Sequence, residues 1–266
     1  MSKTRNMLIT GASAGIGKAF AYEYAREGWN LILTARREAP MKILADELTK
    51  QYNITCHIIP LDLSLPDAPK TLLGQIKNKG LNIDGLINNA GFGHSGHYLD
   101  SKWDDHARTL RLMLQAPCEL AYAASQEMSE RGYGRIINVA SLAGHIPGSR
   151  GHTTYAAIKS FLIKLSQSLH AELSEQGVNV CALCPGFTYT EFHDVNNTRK
   201  AVSKLPRFMF KSANYVAKSG RKAIERGKVV HIPGTLNKGL AVIAKLIPEA
   251  MGEKIIASNS DRIRKD

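Results

Sequence analysis

Cysteine is scarce in this chain of 266 residues, and its four cysteines, Cys56, Cys118, Cys181 and Cys184, show no disulfide spacing. Cys181 and Cys184 have the separation of a metal or redox pair. They fall in a predicted strand, however, where residues i and i+3 point to opposite faces. No second Cys/His pair has ligand spacing, so the pattern favours free thiols in a reducing cytoplasm and no metal site.

Long apolar runs are also missing. No run approaches the ~20 residues of a membrane span. The N-terminus enters an apolar strand almost at once, which leaves no room for a signal peptide. The stretch Leu240–Ile256 has basic neighbours and would suit peripheral membrane contact. Such a stretch is more often a helix packed on the fold or a subunit interface, so we expect a cytoplasmic protein.

Acidic residues are few, 23 against 35 lysines and arginines, which gives a formal net charge of +12. A basic balance suits nucleic acid, a membrane surface or an anionic ligand. No nucleic-acid motif accompanies the charge, so a basic face and a phosphate-bearing cofactor are the favoured interpretation. The hydrophobic fraction of 44% is that of a soluble globule. No linker or repeat interrupts the chain, and one domain over residues 1–266 is expected.

What is present is a regular alternation of apolar strands and amphipathic helices. Strands are predicted at 7–10, 30–34, 54–64, 81–87, 135–140, 178–183 and 228–233. Helices fill the intervals, and Pro117 should interrupt the longest, at 101–131. The sequence predicts an α/β, Rossmann-type doubly wound sheet of about seven parallel strands with helices on both faces.

A glycine-rich turn joins the first strand to the first helix. Gly11, Gly15 and Gly17, with Ser13 and Ile16 between them, leave bare backbone N–H groups at a helix start, where a pyrophosphate binds. Glycine turns also join strands to helices without binding anything. The turn alone is therefore a moderate signal for a dinucleotide.

The residues after the second strand bear on the choice of cofactor. An acid there would bind the adenosine ribose of NAD. Instead Arg36 and Arg37 stand there, suited to a 2′-phosphate, although they could be surface arginines at a helix start. The position favours NADP(H) over NAD(H). Further on, Asp62 and Leu63 are candidates for an adenine contact, while Asp62 could instead cap the next helix.

The strongest chemical signal is Tyr155 and Lys159, which lie side by side if they share a helix. A neighbouring ammonium favours the phenolate and should lower the pKa of Tyr155 from near ~10. Ser141, at the end of a predicted strand, can hold a substrate oxygen between carbonyl and alcohol. These groups suit a carbonyl–alcohol oxidoreductase.

Together, several motifs resemble those of the short-chain dehydrogenase/reductase family over about residues 5–235. They are Thr10-Gly-x-x-x-Gly15-x-Gly17, Asn88-Asn-Ala-Gly91, Ser141, Tyr155-x-x-x-Lys159 and Pro185-Gly186. The tail of the chain resembles a bacterial branch whose members mostly lack a defined substrate.

The resemblance implies a role for each matching residue. Tyr155 would be the catalytic acid/base, Ser141 would bind the substrate oxygen, and Lys159 would lower the Tyr155 pKa and bind the nicotinamide ribose. The cofactor would also meet residues after two further strands, namely Asn89, Ala90, Gly91, Pro185, Gly186, Thr188 and Thr190. The substrate would be a small carbonyl compound or alcohol. A homodimer or homotetramer is expected by analogy.

Met113 departs from the family pattern, which usually has an asparagine at this position. Methionine cannot usefully hydrogen-bond a water that would feed protons to the lysine. A catalytically weak NADP-binding regulator or scaffold is therefore the alternative to an enzyme.

Three further features complete the predictions. Residues 189–212 mix aromatic and basic groups and are interpreted as a mobile substrate lid, and 236–266 as a C-terminal extension. Phe192, Phe208, Met209 and Phe210 in the lid suggest a partly apolar substrate. The histidines flanking the site, His94, His97, His145 and His152, are interpreted as surface or pocket residues rather than metal ligands.

Overall fold

A seven-stranded parallel sheet forms the centre of the protein. The computed structural model describes residues 4–92, 97–148, 151, 153–190 and 206–246. In chain order the strands of the sheet are β1 (Asn6–Thr10), β2 (Asn30–Ala35), β3 (Cys56–Pro60), β4 (Gly85–Asn88), β5 (Gly134–Val139), β6 (Val178–Leu183) and β9 (Val230–His231). They lie in the order β3-β2-β1-β4-β5-β6-β9. The predicted fold class is confirmed.

Helices cover both faces of this sheet. On one face pack α1 (Gly15–Arg26), α2 (Glu38–Tyr52) and α7 (Ala213–Glu225). On the other pack α3 (Ala68–Asn78), α5 (Ala116–Glu130) and α6 (Thr153–Leu173). α4 (Trp103–Leu110) precedes α5, and α8 (Thr235–Leu246) follows β9. Buried apolar side chains from the strands alternate between the two faces, as period-two strands require.

Three strand boundaries differ from the predictions. The strand predicted over 54–64 ends at Pro60, the one over 81–87 begins only at Gly85, and the last reduces to Val230–His231. β3 and β9 are the edge strands of the sheet, so each can form backbone hydrogen bonds with one neighbouring strand only. β9 pairs with β6 over two residues only. Apolar sequence continues past these points, but the hydrogen-bonded ladder does not.

The predicted interruption near Pro117 is present. A π-helical turn over Arg111–Gln115 separates α4 from α5. Proline has no N–H to donate to the carbonyl four residues earlier, so the helical ladder is broken there. Met113 lies in this turn.

The two ends of the predicted lid meet in a small parallel pair. Thr188–Tyr189 (β7) pairs with Lys211–Ser212 (β8). Residues 191–205, including Phe192, lie outside the described residues. In the part of the chain that the structure describes, no helix is long and apolar enough to cross a membrane.

Candidate active site

The site is built at the carboxyl ends of the strands, beside the point where the strand order reverses between β1 and β4. Open parallel sheets form a crevice at such a switch point. The glycine-rich turn after β1, the turn after β4 and the loop after β6 all open onto it.

The glycine-rich turn is held so closely that side chains would not fit. Gly11 has φ +67° and Gly15 φ +56°, a region that favours glycine. A Cβ on Gly17 would meet the Gly11 carbonyl oxygen and lie 2.6 Å from Nδ2 of Asn89. α1 begins at Gly15, and its N-cap residue, Ala14, supplies no side-chain hydrogen bond. The first-turn N–H groups therefore have no side-chain cap, which fits a pyrophosphate seat.

Thr10 ties the turn after β4 to β1. Its hydroxyl accepts hydrogen bonds from the backbone N–H of Asn89 at 2.9 Å and of Ala90 at 3.0 Å, and donates to the Ile87 carbonyl at 3.2 Å. The Asn89 side chain donates to the Thr10 carbonyl at 2.9 Å. The sequence marks Thr10 only as part of a motif, and the structure gives it this bridging role.

The two arginines after β2 lie exposed beside the glycine-rich turn. Arg37 precedes α2 and its guanidinium lies 3.4 Å from the Ser13 hydroxyl. Arg36 is close enough to Asp62 to lower the pKa of that carboxyl group. The structure thus places Arg37 beside Ser13 and Arg36 beside Asp62, and all three donors suit a phosphate monoester.

Asp62 and Leu63 lie beyond β3, in a turn. Asp62 Oδ1 accepts from the Ser64 N–H at 2.9 Å and from the Ser64 hydroxyl at 2.6 Å. Asp62 does not cap α3, whose N-cap is Asp67. The Leu63 side chain is buried in the core cluster that lies on the α3 and α5 face of the sheet. Burial raises the Asp62 pKa, but the Ser64 hydrogen bonds and nearby arginines outweigh it and leave the pKa lowered.

Ser141, Tyr155 and Lys159 converge at the end of β5. Ser141 precedes a 3-10 turn over Leu142–His145, and its Oγ accepts from the Ala143 N–H at 3.1 Å. Ser141 also hydrogen-bonds the Tyr155 phenol. The Lys159 ammonium lies 5.6 Å from the centroid of the Tyr155 ring and donates to the Val139 carbonyl at 2.7 Å.

The pKa values of this group differ from expectation in one respect. Burial raises the pKa of Tyr155, while the Ser141 hydrogen bond acts in the opposite direction. The expected net lowering by Lys159 is wrong for the protein alone, because loss of water around the phenol dominates. Burial lowers the pKa of Lys159 to about 8, and Cys184 acts against this shift.

Two close approaches that the sequence did not predict hold this group in place. A Cβ on Gly144 would lie 2.7 Å from the Lys159 carbonyl carbon, so the turn after Ser141 rests directly on the α6 backbone. A buried amide ladder ties α6 to the sheet. Asn88 donates to Asn138 at 2.9 Å, and Asn138 donates to the Ser166 hydroxyl at 2.9 Å. A glycine in the turn is the one local signal for the first contact.

The loop after β6 spans the crevice from the Ser141 turn to the glycine-rich turn. The Pro185 carbonyl accepts from the Leu142 N–H at 2.8 Å. Thr188 is buried and its hydroxyl donates to the Gly186 carbonyl at 3.0 Å. A Cβ on Gly15 would lie 3.1 Å from Cγ2 of Thr190. The structure therefore gathers the residues predicted from distant motifs around one crevice.

The C-terminal extension also contributes to the site. α8 packs near the Ser141 turn and carries Asn237, which is buried. A Cβ on Gly186 would lie 2.6 Å from Oδ1 of Asn237, and the Asn237 amide donates to the Pro233 carbonyl at 2.8 Å. Nothing local in the sequence marks Asn237 as a neighbour of Gly186.

Met113 fills an apolar position below the crevice. It is 1% exposed and packs in a cluster with Ile158, Leu162 and Tyr155. A Cβ on Gly91 would lie 3.4 Å from the Met113 Sδ. Position 113 thus supplies no polar side chain beside Tyr155.

Aromatic side chains gather where the lid leaves the site. The ring of Phe210 lies 4.7 Å from that of Tyr189, stacked at 23°, and 5.7 Å from that of Phe187. Phe208 is 68% exposed nearby in the chain. Among the described residues no His, Cys, Asp or Glu cluster could hold a metal. Of the flanking histidines, His94 and His152 lie outside the described residues.

The fold and the site together define a nucleotide-binding oxidoreductase architecture. The profile of the short chain dehydrogenase family matches residues 5–201. The chain belongs to this family.

Individual relatives agree with the family assignment. The oxidoreductase UcpA of Escherichia coli is 34% identical over 186 residues, 70% of each chain. Among solved structures, a bulky-bulky ketone specific alcohol dehydrogenase from Comamonas testosteroni has a TM-score of 0.77 at 30% identity, covering 94% of this chain and 97% of its own. A short-chain dehydrogenase from Sphingobium yanoikuyae in complex with NADPH has a TM-score of 0.80 at 29% identity, covering 92% and 97%.

Proposed function

We propose that this protein is an NADP-dependent oxidoreductase that interconverts a carbonyl compound and an alcohol. The observation that carries the proposal is the convergence of Ser141, Tyr155 and Lys159 beside a glycine-rich turn suited to a pyrophosphate. The alternative of an inactive regulator rests on Met113 alone. The intact catalytic trio and the oxidoreductase relatives favour the enzyme.

The cofactor preference rests on the residues after β2. Arg36 and Arg37 stand where an NAD-binding fold would place an acid, and Arg37 lies 3.4 Å from the Ser13 hydroxyl. The NADPH bound in the Sphingobium yanoikuyae relative is consistent with this preference.

Each residue of the trio has a separate role in the proposed reaction. A bound nicotinamide supplies the hydride. In the direction of reduction, Tyr155 donates its proton to the substrate oxygen. Ser141 hydrogen-bonds the substrate oxygen as charge develops. The Lys159 ammonium then stabilises the resulting phenolate.

The substrate side favours a large apolar substituent on the carbonyl carbon. Phe187, Tyr189 and Phe210 form an aromatic wall at the two ends of the lid. The Comamonas testosteroni relative is specific for bulky-bulky ketones, which is consistent with such a wall. The proposal also includes a lid over residues 189–212 and a single domain over residues 1–266. It further includes a homodimer or homotetramer and a cytoplasmic location.

The test is NADPH oxidation with ketones graded from acetone to diaryl ketones. We expect turnover with the larger ketones, and Tyr155→Phe should lower kcat by about 10²–10⁴-fold. The affinity of Tyr155→Phe for NADPH should stay within about twofold, because the ring is retained. Tight NADPH binding with no turnover on any ketone, or an unchanged rate in Tyr155→Phe, would refute the assignment.

A further inference from the structure

An ion pair links α4 to the turn after β3, at the side of the crevice where Arg36 lies. Nη2 of Arg108 is 3.5 Å from Oδ2 of Asp62. The other carboxylate oxygen, Oδ1, is occupied by both hydrogen bonds from Ser64. The Oδ2 side of the Asp62 carboxylate therefore faces Arg108.

A second contact fixes the same two segments. Nε of Arg111, one helical turn after Arg108, donates to the Ser64 carbonyl at 2.8 Å. Arg108 and Arg111 are three residues apart and share a helix face. The position of Arg108 beside Asp62 thus does not depend on the ion pair alone.

At this end of the crevice, two arginines have the same carboxylate as a possible partner. Asp62 interacts electrostatically with both Arg36 and Arg108. A carboxylate with no other partner would draw the Arg36 guanidinium to itself and repel an incoming phosphate. Arg108 neutralises that carboxylate from the opposite element. Arg36 is then left to bind an anion.

We propose that Arg108 is a specificity-determining residue for NADP(H): by pairing with Asp62 it leaves Arg36 available for the 2′-phosphate. The inference rests on the proposed NADP-dependent function. A phosphate monoester adds about −1.5 to −2 charges near neutral pH, and NAD(H) lacks it. Loss of Arg108 therefore weakens NADPH far more than NADH.

The test is the dissociation constant of full-length protein for NADPH and for NADH, measured by titration calorimetry at fixed ionic strength. Arg108→Gln should weaken NADPH binding roughly three- to tenfold and NADH binding less than twofold. Arg108→Lys keeps the charge and should retain most of the preference. Asp62→Asn, added to Arg108→Gln, should restore the NADPH-to-NADH ratio, since the competing carboxylate is gone.

The matched control is Arg135→Gln. Arg135 also pairs with an acid, Glu225 at 3.1 Å, but lies at the start of β5, at the opposite end of the sheet. It should change neither constant. Equal weakening of both cofactors in Arg108→Gln, or no change in either, would overturn the inference.

The outcomes separate this inference from the proposed function. A wild-type protein that binds neither NADPH nor NADH would overturn both. NADPH binding and ketone reduction with an unchanged cofactor ratio in Arg108→Gln would overturn the role of Arg108 alone. If Arg108→Gln does not fold, Arg108→Met, which keeps most of the side-chain length without its charge, decides by the same comparison of the two dissociation constants.

Discussion

Lys159 brings its ammonium group into the protein interior, where 7% of the residue is exposed and the Val139 carbonyl accepts its hydrogen bond. Burial lowers its pKa to about 8 from an ordinary 10.5. The unfolded chain therefore binds more protons between about pH 8 and 10.5. The destabilisation is complete below that window and disappears as the pH rises through it.

Lys159→Met tests whether the buried ammonium destabilises the fold. The variant should be more stable than wild type at pH 7, by on the order of 2 kcal/mol, because no ammonium is buried. The advantage should shrink by pH 10. Urea unfolding at both pH values measures it, with the exposed Lys164→Met as the control that shows no such trend. A pH-independent difference would contradict the buried-charge explanation.

At the scale of the element, the glycine-rich turn and α1 act as one unit. Gly17 lies in the first turn of α1, and a Cβ added to it would meet the Gly11 carbonyl and the Asn89 amide. By contrast, Gly74 in α3 has open space where its Cβ would be. At Gly17 a substitution tests the close approach of neighbouring atoms, whereas at Gly74 it tests helix propensity alone.

Opposite effects are therefore expected from the same substitution. Gly17→Ala should lower the free energy of unfolding by about 1–3 kcal/mol, because the loop must shift to admit a methyl group. Gly74→Ala should raise it by about 0.5–1 kcal/mol, because alanine loses less backbone entropy in a helix. Urea denaturation decides; effects of one sign at both positions would be inconsistent with the geometry.

Which elements were predictable follows from the range of the forces that form them. The seven parallel strands and the break near Pro117 have local causes, apolar runs and a missing N–H, and both predictions are confirmed. The contact of Gly186 with Asn237 joins distant parts of the chain and leaves no periodic signal. The raised pKa of Tyr155 likewise depends on how the surrounding side chains pack. The i, i+4 spacing predicts only that Lys159 is its neighbour, not how deeply the phenol is buried.

At the scale of the whole molecule, burial and, after it, the excess of basic groups make one histidine sensitive to acid. His231 lies on the edge strand β9, and in the described part of the chain its buried Nε2 has no hydrogen-bond partner. Burial, and then Lys238 and Lys228, lower its pKa to about 4. Above pH 6.5 the ring is neutral in both the folded and the unfolded chain. As the pH falls from 6.5 towards 4, the unfolded chain takes up a proton that the folded chain does not, so the protein loses stability.

His231→Phe should flatten the acid side of the stability curve. Wild type should lose more stability than the variant between pH 6.5 and 4, because only wild type must accept a proton on unfolding. Chemical denaturation midpoints at half-unit pH steps would record the difference. Parallel curves for the two proteins would show that His231 is not the responsible group.

The packing of Asn237 in α8 against Gly186 bears on the order in which the chain folds during translation. A chain made from its N-terminus completes β1, the glycine-rich turn and β2 early, so the arginine side of the crevice can fold while translation continues. The loop at Gly186 must wait for its contact with Asn237 until α8 has left the ribosome. In a nascent chain the arginine side of the crevice can therefore form before the loop after β6 has its contact with α8.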